Sequence, residues 1–181
     1  MRLVLAAPLV AAALTPSAAF AVDYLTAELA AKLMFSDADA FEMRSIALDA
    51  AQLQQLEAQG VRARSAQWTA RAARRGGALL GYVVTDAVVG KFELIDYAVA
   101  IGGDGAVRQI EILSYRESHG HEVRLPAWRR QFAGKGTGAA LRVGEDIANI
   151  SGATLSCQHV TEGVRRIVAV MALARRSGVL T

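Results

Sequence analysis

The hydroxyl and thiol side chains of residues 150–157 have the types and spacing that could support covalent chemistry in this chain. The segment reads Ile-Ser-Gly-Ala-Thr-Leu-Ser-Cys. Thr154 offers a free hydroxyl, and Gly152 and Ala153 beside it have no bulky side chain that would block a reacting group. The sequence that follows predicts a helix over 159–175, so Thr154 lies just before a helix N-terminus. Unpaired N–H groups and the positive end of the helix dipole favour a phosphate at such a place.

Two other interpretations of these residues are open. The small residues could simply form a turn, with Ser156 as the group that caps the helix. The three histidines and the only cysteine could instead hold zinc or copper, because they occur as His119-x-His121 and Cys157-x-His159. Gly120 marks a turn in which strand alternation fails, and a buried cysteine usually serves as a small apolar residue. Both points disfavour a metal site, and no third group is evident that would orient a Cys–His nucleophile pair.

The elements that position these residues follow from the hydrophobic pattern. Apolar stripes and capping residues predict helices over 26–35, with Leu29, Leu33 and Met34 facing inward, and over 49–60, where Asp49 and Gln52 form a capping box. A short helix near 127–132 and the long helix after Thr154 complete the set. The apolar face predicted for the long helix consists of Val160, Val164, Ile167, Val168 and Met171.

Between the early and late helices the period of the pattern changes. Strands are predicted over 66–74, 78–86, 91–101 and 106–115, separated by short glycine-containing turns. Strands joined by short turns form an antiparallel meander. The predicted fold class is therefore α+β, with an antiparallel β-meander sheet packed by flanking helices.

The first 21 residues are predicted to be a signal peptide. Arg2 is the only charged residue before Asp23, residues 3–14 are apolar, and Ala19-Phe20-Ala21 has the small-x-small pattern of a cleavage site. The apolar run is shorter than the ~20 residues that span a bilayer. We expect cleavage after Ala21 and export to a periplasm, with residues 22–181 forming one domain. The lone cysteine excludes an internal disulfide framework, and the few aromatics that accompany the arginines argue against a nucleic-acid partner.

Residues 151–154, Ser-Gly-Ala-Thr, resemble the attachment motif of the FMN-binding domain family. This family includes the flavin-carrying subunits of sodium-pumping NADH:quinone reductase and of the Rnf complex, together with small exported flavoproteins. Further matches in family order are Tyr115-Arg116-Glu117-Ser118-His119-Gly120, Trp128-x-x-Gln131-Phe132-x-Gly134-Lys135, Gly81-Tyr82 and Gly90-Lys91. The resemblance covers most of 77–167, with weaker similarity in 24–58. It implies an FMN-binding domain fold and FMN joined covalently to Thr154, through a phosphoester made by a dedicated flavin transferase.

The resemblance also implies roles around the flavin, whose ring is broad and mostly apolar with a polar edge. The candidate apolar walls are Trp128, Phe132 and Leu155. The candidates for the polar edge and for close backbone approach are Tyr115, Glu117, Ser118 and Gly120, and Lys135 is placed near the phosphate or the N1 region of the reduced ring. The attachment segment supplies Ser151, Gly152, Ala153, Thr154 and Ser156.

One position departs from the family pattern. The family usually has an Asp three residues before the Ser, where this chain has Ala148, and Asp146 would need a loop shift to substitute. We expect an exported electron-transfer flavoprotein and no group that acts on a separate substrate. Its expected partners are a flavin transferase that installs FMN from FAD and a membrane or periplasmic redox protein. The alternatives are a non-redox accessory domain of the same fold without flavin, which Ala148 favours, and a His/Cys metal-binding protein.

Overall fold

A single six-stranded antiparallel sheet forms the centre of the molecule in the computed structural model, which describes residues 22–180. The strands are β1 (Val22–Asp23), β2 (Ala40–Ala47), β3 (Gln67–Arg75), β4 (Ala78–Val89), β5 (Leu94–Gly102) and β6 (Val107–Tyr115). Their order in the sheet is β1-β6-β5-β4-β3-β2. Strands β2 to β6 form a meander, and β1 pairs beside β6. The predicted α+β class and the antiparallel meander are confirmed, while the predicted signal peptide lies outside the described residues.

The four predicted strands are present, and two further strands were not predicted. β2 is an edge strand in which Ile46 is the one fully buried residue, so its apolar side chains do not alternate regularly enough to indicate a strand. β1 has only two residues. The turn between β4 and β5 also differs from the prediction, because Lys91, Phe92 and Glu93 lie in the turn and not at the start of β5.

Four α-helices flank the sheet: α1 (Ala27–Met34), α2 (Ala50–Ala58), α3 (Pro126–Arg129) and α4 (Thr154–Arg176). Single 3-10 turns at His121–Arg124 and Arg130–Phe132 lie on either side of α3. The Thr26 side chain caps α1, and Asp49 and Gln52 form the predicted capping box of α2. None of the helices within residues 22–180 is long and apolar enough to cross a membrane.

The predicted inward face of α1 is partly wrong. Leu29 and Leu33 are more than half exposed, at 54% and 53%, whereas Ala30, Ala31 and Met34 are buried. The helix lies close to the sheet, so the small alanines occupy the contact and the two leucines are directed to solvent. Helix periodicity alone could not distinguish these neighbouring faces, because Leu29 and Leu33 adjoin Ala30 and Met34 around the helix and all four are apolar.

The two faces of the sheet carry separate apolar clusters. α1 covers one face, where its buried residues and Phe35 pack on Ala73, Val83, Ala98, Ala100 and Leu113. α4 covers the other face, and its predicted apolar residues are all buried, as expected: Val160, Val164, Ile167, Val168 and Met171. Because the sheet is held between α1 and α4, the N-terminus of α4 has a defined place beside the end of β6 and the β4–β5 turn.

Candidate functional site

A cavity of about 360 Å³ lies where the first turn of α4 meets the β4–β5 turn and the loop after β6. This volume is in the range of small-molecule sites in proteins. It is lined by Lys91, Phe92, Glu117, Ser118, His119, Gly152, Ala153, Thr154, Leu155 and Ser156. Segments far apart in the sequence therefore meet at one site.

Thr154 is the first residue of α4, and not a residue ahead of the helix as predicted. Ala153 is the N-cap, and no side chain caps the helix, so the alternative role of Ser156 as a cap is wrong. The first bond along the helix runs from the N–H of Cys157 to the carbonyl of Ala153. Within the described residues, the N–H groups of Thr154, Leu155 and Ser156 have no acceptor. Such groups, together with the helix dipole, favour a phosphate at this end of α4.

The Thr154 hydroxyl is exposed and lies at the cavity. Its Oγ1 accepts a hydrogen bond of 3.1 Å from Nδ2 of Asn149. Gly152, two residues before Thr154, has a φ of +82° that favours glycine, and no other group lies within 4 Å of the position that a Cβ would occupy there. The approach to the hydroxyl is therefore open.

The Glu117 carboxylate holds the wall of the cavity opposite α4. Its Oε1 accepts hydrogen bonds from the N–H groups of Lys91, of Phe92 at 2.6 Å and of Glu93 at 3.0 Å. A Cβ at position 90 would lie 2.6 Å from the same oxygen, so only Gly90 permits this approach. Burial alone would raise the pKa of Glu117, but the three N–H groups and the charge of Lys91 outweigh it and lower that pKa. The sequence placed Glu117 at the flavin's polar edge, whereas its oxygens bind the chain's own turn.

His159 holds the same turn from the side of α4. Its Nδ1 donates to the carbonyl oxygens of Val89, at 2.5 Å, and Gly90, at 3.1 Å. The β4–β5 turn is therefore fixed from two directions, by a carboxylate after β6 and by an imidazole on α4. This wall of the cavity is therefore already formed before any ligand binds.

Tyr115 and Gly120 bring the loop after β6 against the start of α4. The Tyr115 hydroxyl lies 2.5 Å from the carbonyl oxygen of His119, to which it donates, and 3.1 Å from Oγ of Ser156. Gly120 has a φ of +84°, and a Cβ there would lie 2.5 Å from the Cβ of Ala153. Burial raises the pKa of the Tyr115 phenol, which therefore stays protonated at neutral pH. Tyr115 and Gly120 thus support the cavity from behind and do not line it.

Two apolar side chains that line the cavity are exposed to solvent. Leu155 is 41% exposed and Phe92 is 75% exposed, with the Lys91 ammonium 4.9 Å from the centre of the Phe92 ring. The sequence predicted Leu155 as a wall but missed Phe92, because the predicted third strand ran through it. The Gly90-Lys91 match to the family was the available signal, since it marks a turn next to Phe92.

Three predicted contact residues lie elsewhere. Trp128 and Phe132 are buried at 4% and 0% exposure, and their rings pack edge to face at 5.0 Å. Lys135 forms an ion pair with Asp146 at 3.1 Å. None of the three lines the cavity, and Ser151 is exposed but not part of its lining either. The aromatic residues serve the core instead, as their apolar character allows.

The residues considered for a metal site do not converge. Cys157, in the first turn of α4, is fully buried, and burial raises the pKa of its thiol. His159 donates to backbone carbonyls, and His119 Nδ1 lies 2.9 Å from the hydroxyl of Ser118. Within residues 22–180 no group of three or more His, Cys, Asp or Glu side chains is placed to hold a metal ion.

Comparisons with known proteins agree with the family resemblance. Residues 90–169 match the FMN-binding domain family, and this segment runs from the turn before β5 to the middle of α4. Among solved structures, the fold is similar to that of NqrC from Shewanella oneidensis, with a TM-score of 0.54 and 17% sequence identity over 80% of this chain and 88% of that chain. At this identity the similarity concerns the fold. No curated protein sequence matches the chain.

Proposed function

This chain carries an FMN-binding domain, and from that premise we propose that it is an exported electron-transfer flavoprotein with FMN joined to Thr154 through a phosphoester. The observation that carries the proposal is the position of Thr154. Its hydroxyl is exposed at a cavity, on the first residue of a 23-residue helix whose first N–H groups have no acceptor within the described residues.

The residues at the cavity fit both parts of FMN. The end of α4 suits a phosphate, because its N–H groups and dipole favour negative charge. Phe92 and Leu155 offer apolar surface to an isoalloxazine ring, while Ser118 and Lys91 supply polar groups at the same cavity. The turn that carries Phe92 is held by Glu117 and His159, so this chain presents a prepared surface to the ring.

When bound, FMN would supply the ability to take up and release one or two electrons. The residues of this chain would bind it, orient it and leave one side reachable. The high exposure of Phe92 supports an open rim, at which a second redox protein could approach the ring. No general base or nucleophile other than Thr154 is needed for this role.

The partners and the location are part of the same proposal. A flavin transferase would install FMN from FAD, with magnesium, and a membrane or periplasmic redox protein would exchange electrons with the flavin. Export rests on the signal-peptide pattern of residues 1–21, with cleavage after Ala21.

Co-expression of the full chain with a flavin transferase, followed by intact-mass measurement of periplasmic material, tests this proposal. We expect a yellow protein whose mass equals a chain that begins at Val22 plus FMN minus water. Thr154→Val should abolish the increment and change the free energy of unfolding by less than ~0.5 kcal/mol, because the side chain is exposed. Thr154→Ser, which keeps a hydroxyl, is the matched control and should retain modification.

Other outcomes would assign the function differently. Absence of modification in both the native chain and the Ala148→Asp variant, while a control target is flavinylated, would contradict covalent FMN and favour an accessory domain without flavin. Modification at Ser156 would keep the function and overturn the site; we do not expect it, because Ser156 is buried against Tyr115.

A further inference from the structure

We propose that Asn149 is a positioning residue for the attachment of the flavin phosphate to Thr154, an inference that rests on the proposed function. Its Nδ2 lies 3.1 Å from Oγ1 of Thr154. This is the only side-chain hydrogen bond made to that hydroxyl within residues 22–180. The reacting oxygen is thus oriented by a residue that neither composition nor motif spacing singled out.

Asp146, which precedes Asn149 by three residues, is engaged elsewhere. Asp146 accepts hydrogen bonds from the N–H groups of Leu141, at 3.1 Å, and Arg142, at 2.9 Å, and pairs with Lys135. These N–H groups and Lys135 outweigh the effect of burial and lower the pKa of Asp146. Asp146 is therefore a charged group fixed in its own loop, and it does not replace the carboxylate that the family has at position 148.

The backbone next to Asn149 is held on both sides, which gives its side chain a defined starting point. The carbonyl oxygen of Ala148 accepts a hydrogen bond of 2.8 Å from Nε1 of Trp128. The N–H of Ala148 donates to Oε1 of Gln131 at 2.7 Å. One residue after Asn149, the carbonyl of Ile150 accepts the N–H of Ala153 at 3.0 Å and closes the turn that leads into α4. The separation between Asn149 and Thr154 is thus set by bonds to the core and across the turn.

The chemistry of attachment explains what such a bond contributes. Oγ1 of Thr154 attacks the phosphorus of the FMN half of FAD, and a new O–P bond forms. The bond from that phosphorus to the oxygen of the AMP half breaks, AMP leaves with the electron pair, and the hydroxyl proton passes to a base of the transferase or to water. A donated N–H from Asn149 holds Oγ1 at the cavity and stabilises the negative charge that grows on it as its proton departs.

The test is the rate of modification of purified full-length protein by a flavin transferase with FAD and magnesium, followed by intact mass. Asn149→Ala should slow modification about fivefold, which is the loss of one hydrogen bond of ~1 kcal/mol. Gln158→Ala is the matched control, since Gln158 is an exposed amide on the first turns of α4 with no side-chain hydrogen bond among the described residues. This control should react at the native rate.

The Asn149→Asp variant gives a readout that a merely structural role would not change. A carboxylate can only accept from the Thr154 hydroxyl, so it reverses the hydrogen bond. The rate of this variant relative to the native chain should therefore be no higher than that of Asn149→Ala at neutral pH, because a carboxylate cannot donate to Oγ1 and repels the negative charge that grows there. The ratio should rise as the pH approaches the usual carboxyl pKa of about 4, because a protonated carboxyl can donate. The Asn149→Ala variant should show a rate ratio that does not change with pH.

The outcomes separate this inference from the function on which it rests. If the native chain is modified and Asn149→Ala reacts equally fast, the role of Asn149 is overturned while covalent FMN stands. If Asn149→Asp reacts as fast as the native chain at neutral pH, donation from Asn149 is not needed and the positioning role is likewise overturned. If the native chain is not modified while a control target is, both conclusions fail together.

Discussion

The first turn of α4 and its middle differ in how they satisfy their polar groups. In the middle, the buried Arg166 donates to Oδ2 of Asp86 at 2.7 Å, and the same oxygen accepts from the Tyr97 hydroxyl at 3.0 Å. Gly163 permits the close approach of the helix to Tyr97, because a Cβ there would collide with the phenol. In the first turn, the Thr154 hydroxyl is exposed, and N–H groups at the cavity have no acceptor among the described residues.

The two parts of α4 therefore have different roles: the middle stabilises the fold, and the start of the helix is placed to contact a ligand. The middle binds α4 to β4 and β5 through apolar contact and one shared carboxylate. In the first turn, Thr154 and Leu155 are exposed at the cavity, so their side chains are available to a ligand. Changes in the middle should therefore alter the free energy of unfolding, whereas changes at Thr154 and Leu155 should alter flavin binding and attachment.

The largest expected effect comes from a matched pair of truncations on α4. Ile167→Ala should lower the free energy of unfolding by about 2–5 kcal/mol, because Ile167 is fully buried and its loss leaves a cavity. Leu155→Ala, in the first turn, should change it by less than ~0.5 kcal/mol and weaken FMN binding. Urea denaturation and FMN fluorescence titration measure the two quantities. A similar loss of stability in both variants would remove the proposed distinction.

A smaller effect is expected for the carboxylate that holds the β4–β5 turn. Glu117→Gln should lower the free energy of unfolding at pH 7 by about 1–2 kcal/mol. The reason is that the three N–H groups would then donate to a neutral amide oxygen, which is a weaker acceptor than a charged carboxylate. The control is Glu145→Gln in an exposed loop, which should cost less than ~0.5 kcal/mol. Urea denaturation of both variants measures these costs.

The pH dependence of the Glu117 variant follows from the direction of the pKa shift. Folding lowers the pKa of Glu117, so its contribution is complete above the unfolded value of about 4.3 and disappears as the pH falls through the lower folded value. The native chain and Glu117→Gln should thus differ at pH 7 and approach each other in stability as the pH falls below about 4. A constant difference across that range would show that the charge of Glu117 does not hold the turn.

The smallest expected effect distinguishes the exposed aromatic residue from the buried ones. Phe92→Ala should weaken the binding of free FMN about fivefold, which is ~1 kcal/mol of ring contact, and leave stability nearly unchanged. Phe132→Leu should cost about 1–2 kcal/mol of stability and leave FMN affinity within about twofold, because Phe132 lies in the core. The reverse pattern in fluorescence titration and denaturation would restore Phe132 as a flavin wall.

Local patterns in the sequence were sufficient for much of the fold. Glycine turns and alternating residues indicated four strands of the meander, and capping residues marked the starts of α1 and α2, because these signals act between residues close in the chain. The edge strand β2 and the inward face of α1 were not predictable in this way. Their burial depends on which element packs beside them, and the spacing of apolar residues along the chain does not specify that neighbour.

The sequence by itself indicated the candidate attachment residue and the resemblance to the FMN-binding domain family, because Ser151–Thr154 and the ordered matches upstream are read directly from residue types. Only the tertiary structure decided the surroundings of Thr154. It placed Phe92 at the cavity, Trp128 in the core and Asn149 beside the hydroxyl. These positions depend on contacts between β4, β6 and α4, segments far apart in the chain, and hydrogen bonds across such distances are set by how the sheet and helix pack.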